Sequence, residues 1–199
     1  MQDVSALLRH FEPHLTLTQA EQDLFISVLR EKQVKRKQFV EQPGYVSTHR
    51  SYVVRGALRA FFIDASDQEQ TIAMAVDDGW IGDPGSFLLQ EPATLFVEAL
   101  EDSTLLQWSY ASEQLLLDQI PQYARFMMQK AQLIAVGVQR RLISLATLSA
   151  EQRYAEFARN YPVLVQRMPL YVIASYLGMT REFLSKIRNQ KISSKSRKE

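Results

Sequence analysis

The chain contains no cysteine among its 199 residues, which excludes disulfide staples, thiolate zinc sites and cysteine-ligated iron–sulfur clusters. Histidine is scarce as well. His10, His14 and His49 lack metal-ligand spacing, and Pro13 between the first two interrupts a shared helix face, so surface or packing roles are expected and no metal site. No apolar run is long enough to span a bilayer and no leader-like stretch stands at the start, which points to a cytoplasmic protein with no membrane partner. No nucleophile has a nearby base, no glycine-rich loop could cradle a phosphate and no carboxylate pair has a telling spacing, so an enzyme is not expected. Charge of one sign is also missing, since the formal net charge is only +1. What is present is apolar content of 46%, enough for a core without cross-links.

Glycine and proline divide the chain. Five of the seven glycines (Gly44, Gly56, Gly79, Gly82, Gly85) fall within 42 residues, whereas 121–161 has no internal proline and only Gly137. The first pattern belongs to short strands and turns. Residues 51–63 and 94–107 mix aromatic and β-branched side chains between Gly, Pro and Asp punctuation, which predicts an antiparallel sandwich or barrel. Thr18 with Glu21 forms a capping box before Leu24, Phe25, Val28 and Leu29, predicting a helix over 19–30.

The second pattern predicts a long helix starting near Pro121. Met127, Ala131, Ile134, Val138, Leu142, Leu145 and Leu148 recur every three or four residues, a spacing near that of a coiled-coil seam, and a dimer helix is favoured over plain core packing. Ser149 with Gln152 makes a second capping box, which marks a hinge to a C-terminal domain.

Residues 169–188 then read as a helix-turn-helix. Ile173, Leu177, Met179, Leu184 and Ile187 provide apolar positions for two crossing helices, and Ala174 is small where the backbones approach. Gly178 suits the positive φ of the turn, and Thr180 can cap a second helix with Glu182 near its positive end. From Thr180 onward seven Lys or Arg face only two Glu, so a nearly neutral protein ends in a basic segment suited to phosphates. The second helix is expected to enter the major groove of DNA, in a dimer whose two recognition helices lie about 34 Å apart.

A strand-rich region, a long helix and a terminal helix-turn-helix, in that order, resemble the Crp/Fnr superfamily of bacterial transcription regulators. Carrying the resemblance are Gly44 with the strand ending at Gly56, the run from Trp80 to Phe87, and Met179, Thr180, Arg181 and Glu182. It implies an α+β chain: a jelly-roll (double-stranded β-helix) sensor over 1–120, a dimerisation helix over 121–148, and a DNA-binding domain over 149–199. Its implied partners are a second copy, a palindromic double-stranded DNA operator and RNA polymerase. Arg181, Glu182 and Lys186 resemble the family's base-reading set. Arg181 and Lys186 have the chemistry for guanine and Glu182 for cytosine N4, with Thr180, Ser185 and Arg188 positioned for phosphates.

The stretch 82–94 resembles the family's phosphate-binding cassette. Gly82, Asp83, Gly85 and Thr94 fit, but Pro84 removes one amide donor and Ala93 stands where the resemblance places an arginine. From Ala60 to Ala124 there are twelve acidic residues and no Lys or Arg, so a cyclic phosphate finds little cation. Arg55 and Arg59 are the candidates to replace the missing charge. Val138 and Gln139 stand where the resemblance places the adenine-contacting Thr and Ser. Asp83 and Thr94 either keep a ligand role or simply hold a turn. The expectation is poor cAMP binding, with an unidentified small effector in the cavity and no certain cofactor. Only seven residues follow Ile192, too few for the family's β-hairpin wing, and 193–199 read as a solvated basic tail. A ligand-binding module that signals through protein partners, its helix-turn-helix used only for packing, is the competing reading.

Overall fold

The computed structural model describes residues 4–195. Two helices, α1 (Ser5–Phe11) and α2 (Gln19–Val28), precede eight strands: β1 (Arg30–Val34), β2 (Phe39–Glu41), β3 (His49–Arg55), β4 (Leu58–Ile63), β5 (Glu69–Ala75), β6 (Gly79–Ile81), β7 (Phe96–Ala99) and β8 (Ser103–Ser109). Helix α3 (Pro84–Leu89) interrupts the strands. After them come α4 (Tyr110–Gln119), α5 (Pro121–Thr147), α6 (Ala150–Asn160), α7 (Pro162–Arg167), α8 (Leu170–Tyr176) and α9 (Arg181–Lys195).

The strands form two antiparallel four-stranded sheets, ordered β1-β8-β3-β6 and β2-β7-β4-β5. Between them lie Val34, Val53, Leu58, Ala60, Ala75, Ile81, Val97, Ala99 and Leu105. Strand alternation sends the intervening side chains outward, and on the first sheet several of these are buried too, because helices pack against it. Tyr52, Leu106 and Trp108 on the first sheet pack with Phe11, Phe25, Leu116, Ile120 and Tyr123. Near this core Glu113 is almost completely buried and fully paired, accepting from Trp108 Nε1 at 2.6 Å and Tyr123 Oη at 2.9 Å while Arg50 lies 3.0 Å away.

The hairpin from β3 to β4 crosses between sheets at Gly56. Its φ is +133°, and a Cβ there would stand 2.8 Å from the Ser103 Cα, so only glycine fits.

Local chemistry accounts for the helix starts. Thr18 and Ser149 each close a full capping box, with Glu21 and Gln152 respectively. Proline begins α5, where its missing N–H costs nothing. The expected long helix therefore appears as α5, and the 19–30 helix stops at Val28, because Arg30 already pairs with Gln107 as the first strand.

Two expectations are corrected. The helices α1, α3 and α4 lie within or before a region read as strands and turns; each is no more than ten residues long and shows little periodic signal. Residues 193–195 continue α9 and are not tail, while 196–199 lie outside the described residues. His10 is a packing residue inside an aromatic group with Tyr52, Trp80 and Phe126. Among the described residues no cluster has a metal-holding arrangement, and no helix is long and apolar enough to cross a membrane.

Candidate nucleic-acid interface and cavity

Helices α8 and α9 meet at a turn whose geometry follows from three residues. Gly178 adopts φ +65°, redirecting the chain as only glycine does without strain, and Met179 N–H closes back on Ala174 O at 3.0 Å. Thr180 Oγ1 then accepts from Phe183 N–H at 3.2 Å, satisfying one free amide at the start of α9. Leu184 and Ile187 face inward against Ile173, Ala174 and Leu177. Burying each stabilises the pair by about 1.5–3 kcal/mol.

With that face fixed, helical spacing decides what points outward. Arg181, Ser185 and Asn189, four residues apart, share a stripe, with Glu182 and Lys186 beside it. Arg181, Glu182, Lys186 and Asn189 are exposed, Ser185 and Arg188 half-buried, and Thr180 exposed at the cap. The six residues singled out from sequence thus sit on one end of one helix. Asn189 was not among them, although its i+8 relation to Arg181 could have found it.

The second candidate is a cavity of about 260 Å³ beyond the end of the short edge strand β6. Gly82, Asp83, Pro84 and Phe87 line it, with Trp80, Ile81, Ala73, Glu41, Ser47, His49, Arg50 and Ser51, and Ile134 from α5 closes one side. Of the eight ligand candidates, only Gly82 and Asp83 belong to this lining.

Asp83 is fully occupied by its own chain. One carboxylate oxygen caps α3 by accepting from Ser86 N–H at 3.1 Å; the other accepts from Thr94 N–H at 2.9 Å, Thr94 Oγ1 at 3.2 Å and Leu95 N–H at 3.2 Å. Burial alone would raise its pKa, but these donors outweigh it and hold the carboxyl below its ordinary value. Asp83 and Thr94 therefore hold a turn, and Gly85 sits within α3, where a Cβ would press on Asp83 Oδ1 at 3.3 Å.

Neither arginine reaches the cavity. Arg59 is only 4% exposed and points from the outer face of β4, where Glu98 and Glu69 each pair with it at 2.6 Å and its guanidinium lies over Phe61 and Tyr171. A register shift between Val53 and Arg55 carries Arg55 to an exposed position opposite Thr104. The cavity's arginine is Arg50, which stacks over Phe87 at 4.8 Å and is already paired with Glu113. Val138 and Gln139 are exposed, and the helix residue lining the cavity is Ile134, one turn earlier.

Sequence reasoning also missed Glu41. Its Oε2 accepts from the Asp83 backbone N–H at 2.7 Å, and its Oε1 would stand 3.1 Å from a Cβ at Gly82. Burial pushes its pKa up, against the pull of the Asp83 amide.

The two candidates are mechanically connected. Ser175 of α8 accepts from Thr71 N–H at 2.8 Å and donates to Glu69 O at 2.7 Å, completing the edge of β5. Arg141 of α5 donates to Thr71 O, Ile72 O and Tyr176 O, and stacks over the Tyr176 ring at 3.9 Å. Arg167 pairs with Asp77 and Glu101. The α8–α9 core also takes in Ala57 and the partly buried Met74, Val76 and Leu100 from the strand region.

No protein-family model and no curated protein sequence matches this chain. Solved structures do. FixK2 from Bradyrhizobium japonicum is 18% identical, with a TM-score of 0.73 over 84% of this chain and 86% of its own. The c-di-GMP-responsive global regulator CLP from Xanthomonas campestris is 15% identical, with a TM-score of 0.69 over 89% and 93%. A regulator described as Crp/Fnr family from Eubacterium rectale is 17% identical, with a TM-score of 0.68 over 89% and 85%. At these identities the likeness establishes the fold: this chain has the architecture of the Crp/Fnr regulators, with two antiparallel sheets and a long helix.

Proposed function

We propose that this chain is a homodimeric, sequence-specific DNA-binding transcription regulator of the Crp/Fnr type, with a jelly-roll effector domain that binds cAMP poorly. The observation that carries the reading is the outward stripe of α9. Arg181, Glu182 and Lys186 project from a capped helix whose opposite side is locked by Leu184 and Ile187. This arrangement supports bidentate reading of guanine by Arg181, acceptance from cytosine by Glu182, and backbone contacts from Thr180, Ser185 and Arg188. Among the described residues no strand follows α9, and the proposed docking is argued from α9 alone.

Dimerisation through α5 is supported by its apolar residues. Leu133 is 72% and Leu142 62% exposed, with Ile134, Val138, Ile143 and Leu145 also open to solvent, and every residue from 131 to 140 is exposed. An apolar stripe of this length facing water is stabilised by a second copy. The cavity supports the weak cAMP reading, because Glu41 already occupies the Asp83 amide and the only lining arginine is paired with Glu113.

Selection from random duplexes, followed by binding at several salt concentrations, tests the reading. It expects enrichment of a palindromic site, steep weakening with salt, and a dimer in sedimentation. Enrichment of no sequence, with Arg181→Ala and Lys186→Ala leaving weak binding unchanged, would overturn it in favour of a module that signals through protein partners.

A further inference from the structure

Anion recognition by a tight loop depends on free backbone amides and a compensating cation. At the cavity beyond β6 both are already spent. The Asp83 amide donates to Glu41 Oε2 at 2.7 Å, so a carboxylate of the chain itself sits where an anionic ligand would accept. Asp83 is saturated by Ser86, Thr94 and Leu95. Arg50, the only Lys or Arg in the lining, is held by the buried Glu113 and the Phe87 ring.

The remaining charges point the same way. His49 is held toward its neutral form by burial, then by Arg30 and Lys32. Lys32 borders a neighbouring hollow on the other side of Glu41, also lined by Ser47 and His49, and does not line this cavity. Helix α5 contributes only the apolar Ile134. Among the described residues Glu41 is thus a half-buried carboxylate with no ion-pair partner in the cavity, its pKa lowered only by the Asp83 amide, Ser47 and the more distant Lys32.

A second observation concerns the hydroxyl beside Glu41, which pulls the Glu41 pKa down against burial. Ser47 lines the same cavity and is only 5% exposed, yet its Oγ makes no hydrogen bond of ordinary geometry. A buried hydroxyl without a well-formed hydrogen bond is a costly arrangement unless a ligand supplies one. The walls beside it are the aromatic rings Trp80 and Phe87 with Ile81, Ala73 and Ile134. Each ring already has a cation of the chain over it, Lys130 Nζ 4.9 Å from the Trp80 centroid and Arg50 4.8 Å from that of Phe87, so to a ligand they offer apolar surface. At about 260 Å³ the space lies below the roughly 300–1,000 Å³ of drug-sized sites, so its occupant is small.

We propose that this cavity binds a small organic cation: an ammonium group donates to Glu41 and Ser47 Oγ, and a single apolar or aromatic group lies against Trp80 and Phe87. The Nε–H of Arg50, buried and without a partner, is available to an acceptor on the same ligand. The inference rests on reading this cavity as the effector site, and not on the DNA contacts of α9.

Three near-isosteric probes test it on the full-length protein: phenethylammonium, 2-phenylethanol and phenylacetate, titrated by calorimetry and by tryptophan fluorescence, with Trp80 as the reporter. The cation should bind about tenfold more tightly than the neutral alcohol, the ratio expected for a hydrogen bond to a charged group, and phenylacetate should not bind. In Glu41→Gln, which keeps an acceptor for the Asp83 amide, the cation-to-alcohol ratio should fall to about one while the alcohol affinity persists and the protein melts no earlier than the wild type. Equal or tighter binding of phenylacetate or cAMP, an unchanged ratio in Glu41→Gln, or no binding by any probe overturns the proposal. Sequence-selective DNA binding by the same protein is measured separately, so its survival or loss distinguishes failure here from failure of the regulator reading.

Discussion

The polar residues of α9 and those around the β6 cavity are the same chemical types in opposite circumstances. On α9, Arg181, Glu182 and Lys186 stand in solvent above an apolar underside. Around the strands, Arg59 is enclosed by Glu69, Glu98 and two aromatic rings, and Asp83 has its acceptors filled by its own backbone. The difference teaches that residue type at a family-like position does not confer a binding role. An arginine with two carboxylates at 2.6 Å already has its ligands, and only a side chain left outside the internal hydrogen-bond network is free for an external one.

The largest expected effect breaks the first half of that contrast. Arg181→Ala with Lys186→Ala should cost roughly 2–6 kcal/mol of specific DNA affinity, about 1–3 kcal/mol for each base contact, with thermal stability unchanged; anisotropy on the selected duplex measures this, and equal affinity would remove α9 from the interface.

Asp83→Ala attacks the other half. It should destabilise the protein by about 2–3 kcal/mol, because an α3 cap is lost and the Thr94 and Leu95 amides lose their acceptor. The folded-state pKa of Asp83 is depressed, so its contribution is present above the unfolded value of about 3.9 and is lost as pH falls through the folded value. Denaturant melts should therefore separate the wild type from Asp83→Asn at pH 7, and the difference should shrink as pH falls below about 4 toward the folded value.

Ser175→Ala tests the link between the two regions. Loss of its bond to the Thr71 amide should cost about 1 kcal/mol and speed exchange of that amide about fivefold, read by hydrogen exchange. An unchanged rate would mean that the Arg141 contacts alone hold α8 against β5.

Glu41→Gln should have the smallest effect on stability. Burial raises the Glu41 pKa, so the ionised form is a penalty that is absent below the unfolded value, about 4.3, and complete above the folded value. The variant should gain up to about 1 kcal/mol at pH 7 and nothing at pH 4. A loss of stability at pH 7 would show that the bond to Asp83 outweighs desolvation.

Much of the α8–α9 region was legible because its determinants are close together in the chain. Thr180 caps an amide three residues on, Gly178 needs only its own φ, and the Leu184 and Ile187 pair is set by helical period. The cavity was misread for the converse reason. Arg50 and Arg55 differ by an odd number of residues and a register shift, so alternation from sequence could not say which one lines it. Glu41 meets the Asp83 amide across 42 positions of chain.

The sequence by itself determined the helix starts at Thr18 and Ser149, the turn at Gly178, the long helix from Pro121 and the polar stripe of α9. Each depends on contacts within one or two helical turns, where spacing dictates geometry. Only the tertiary structure decided that Arg59 belongs to Glu69 and Glu98, that Arg50 and Ile134 line the cavity, and that Glu41 accepts from the Asp83 amide. Those outcomes depend on which strands pair and in what register, and a shift of one residue turns a strand's side chains to the opposite face.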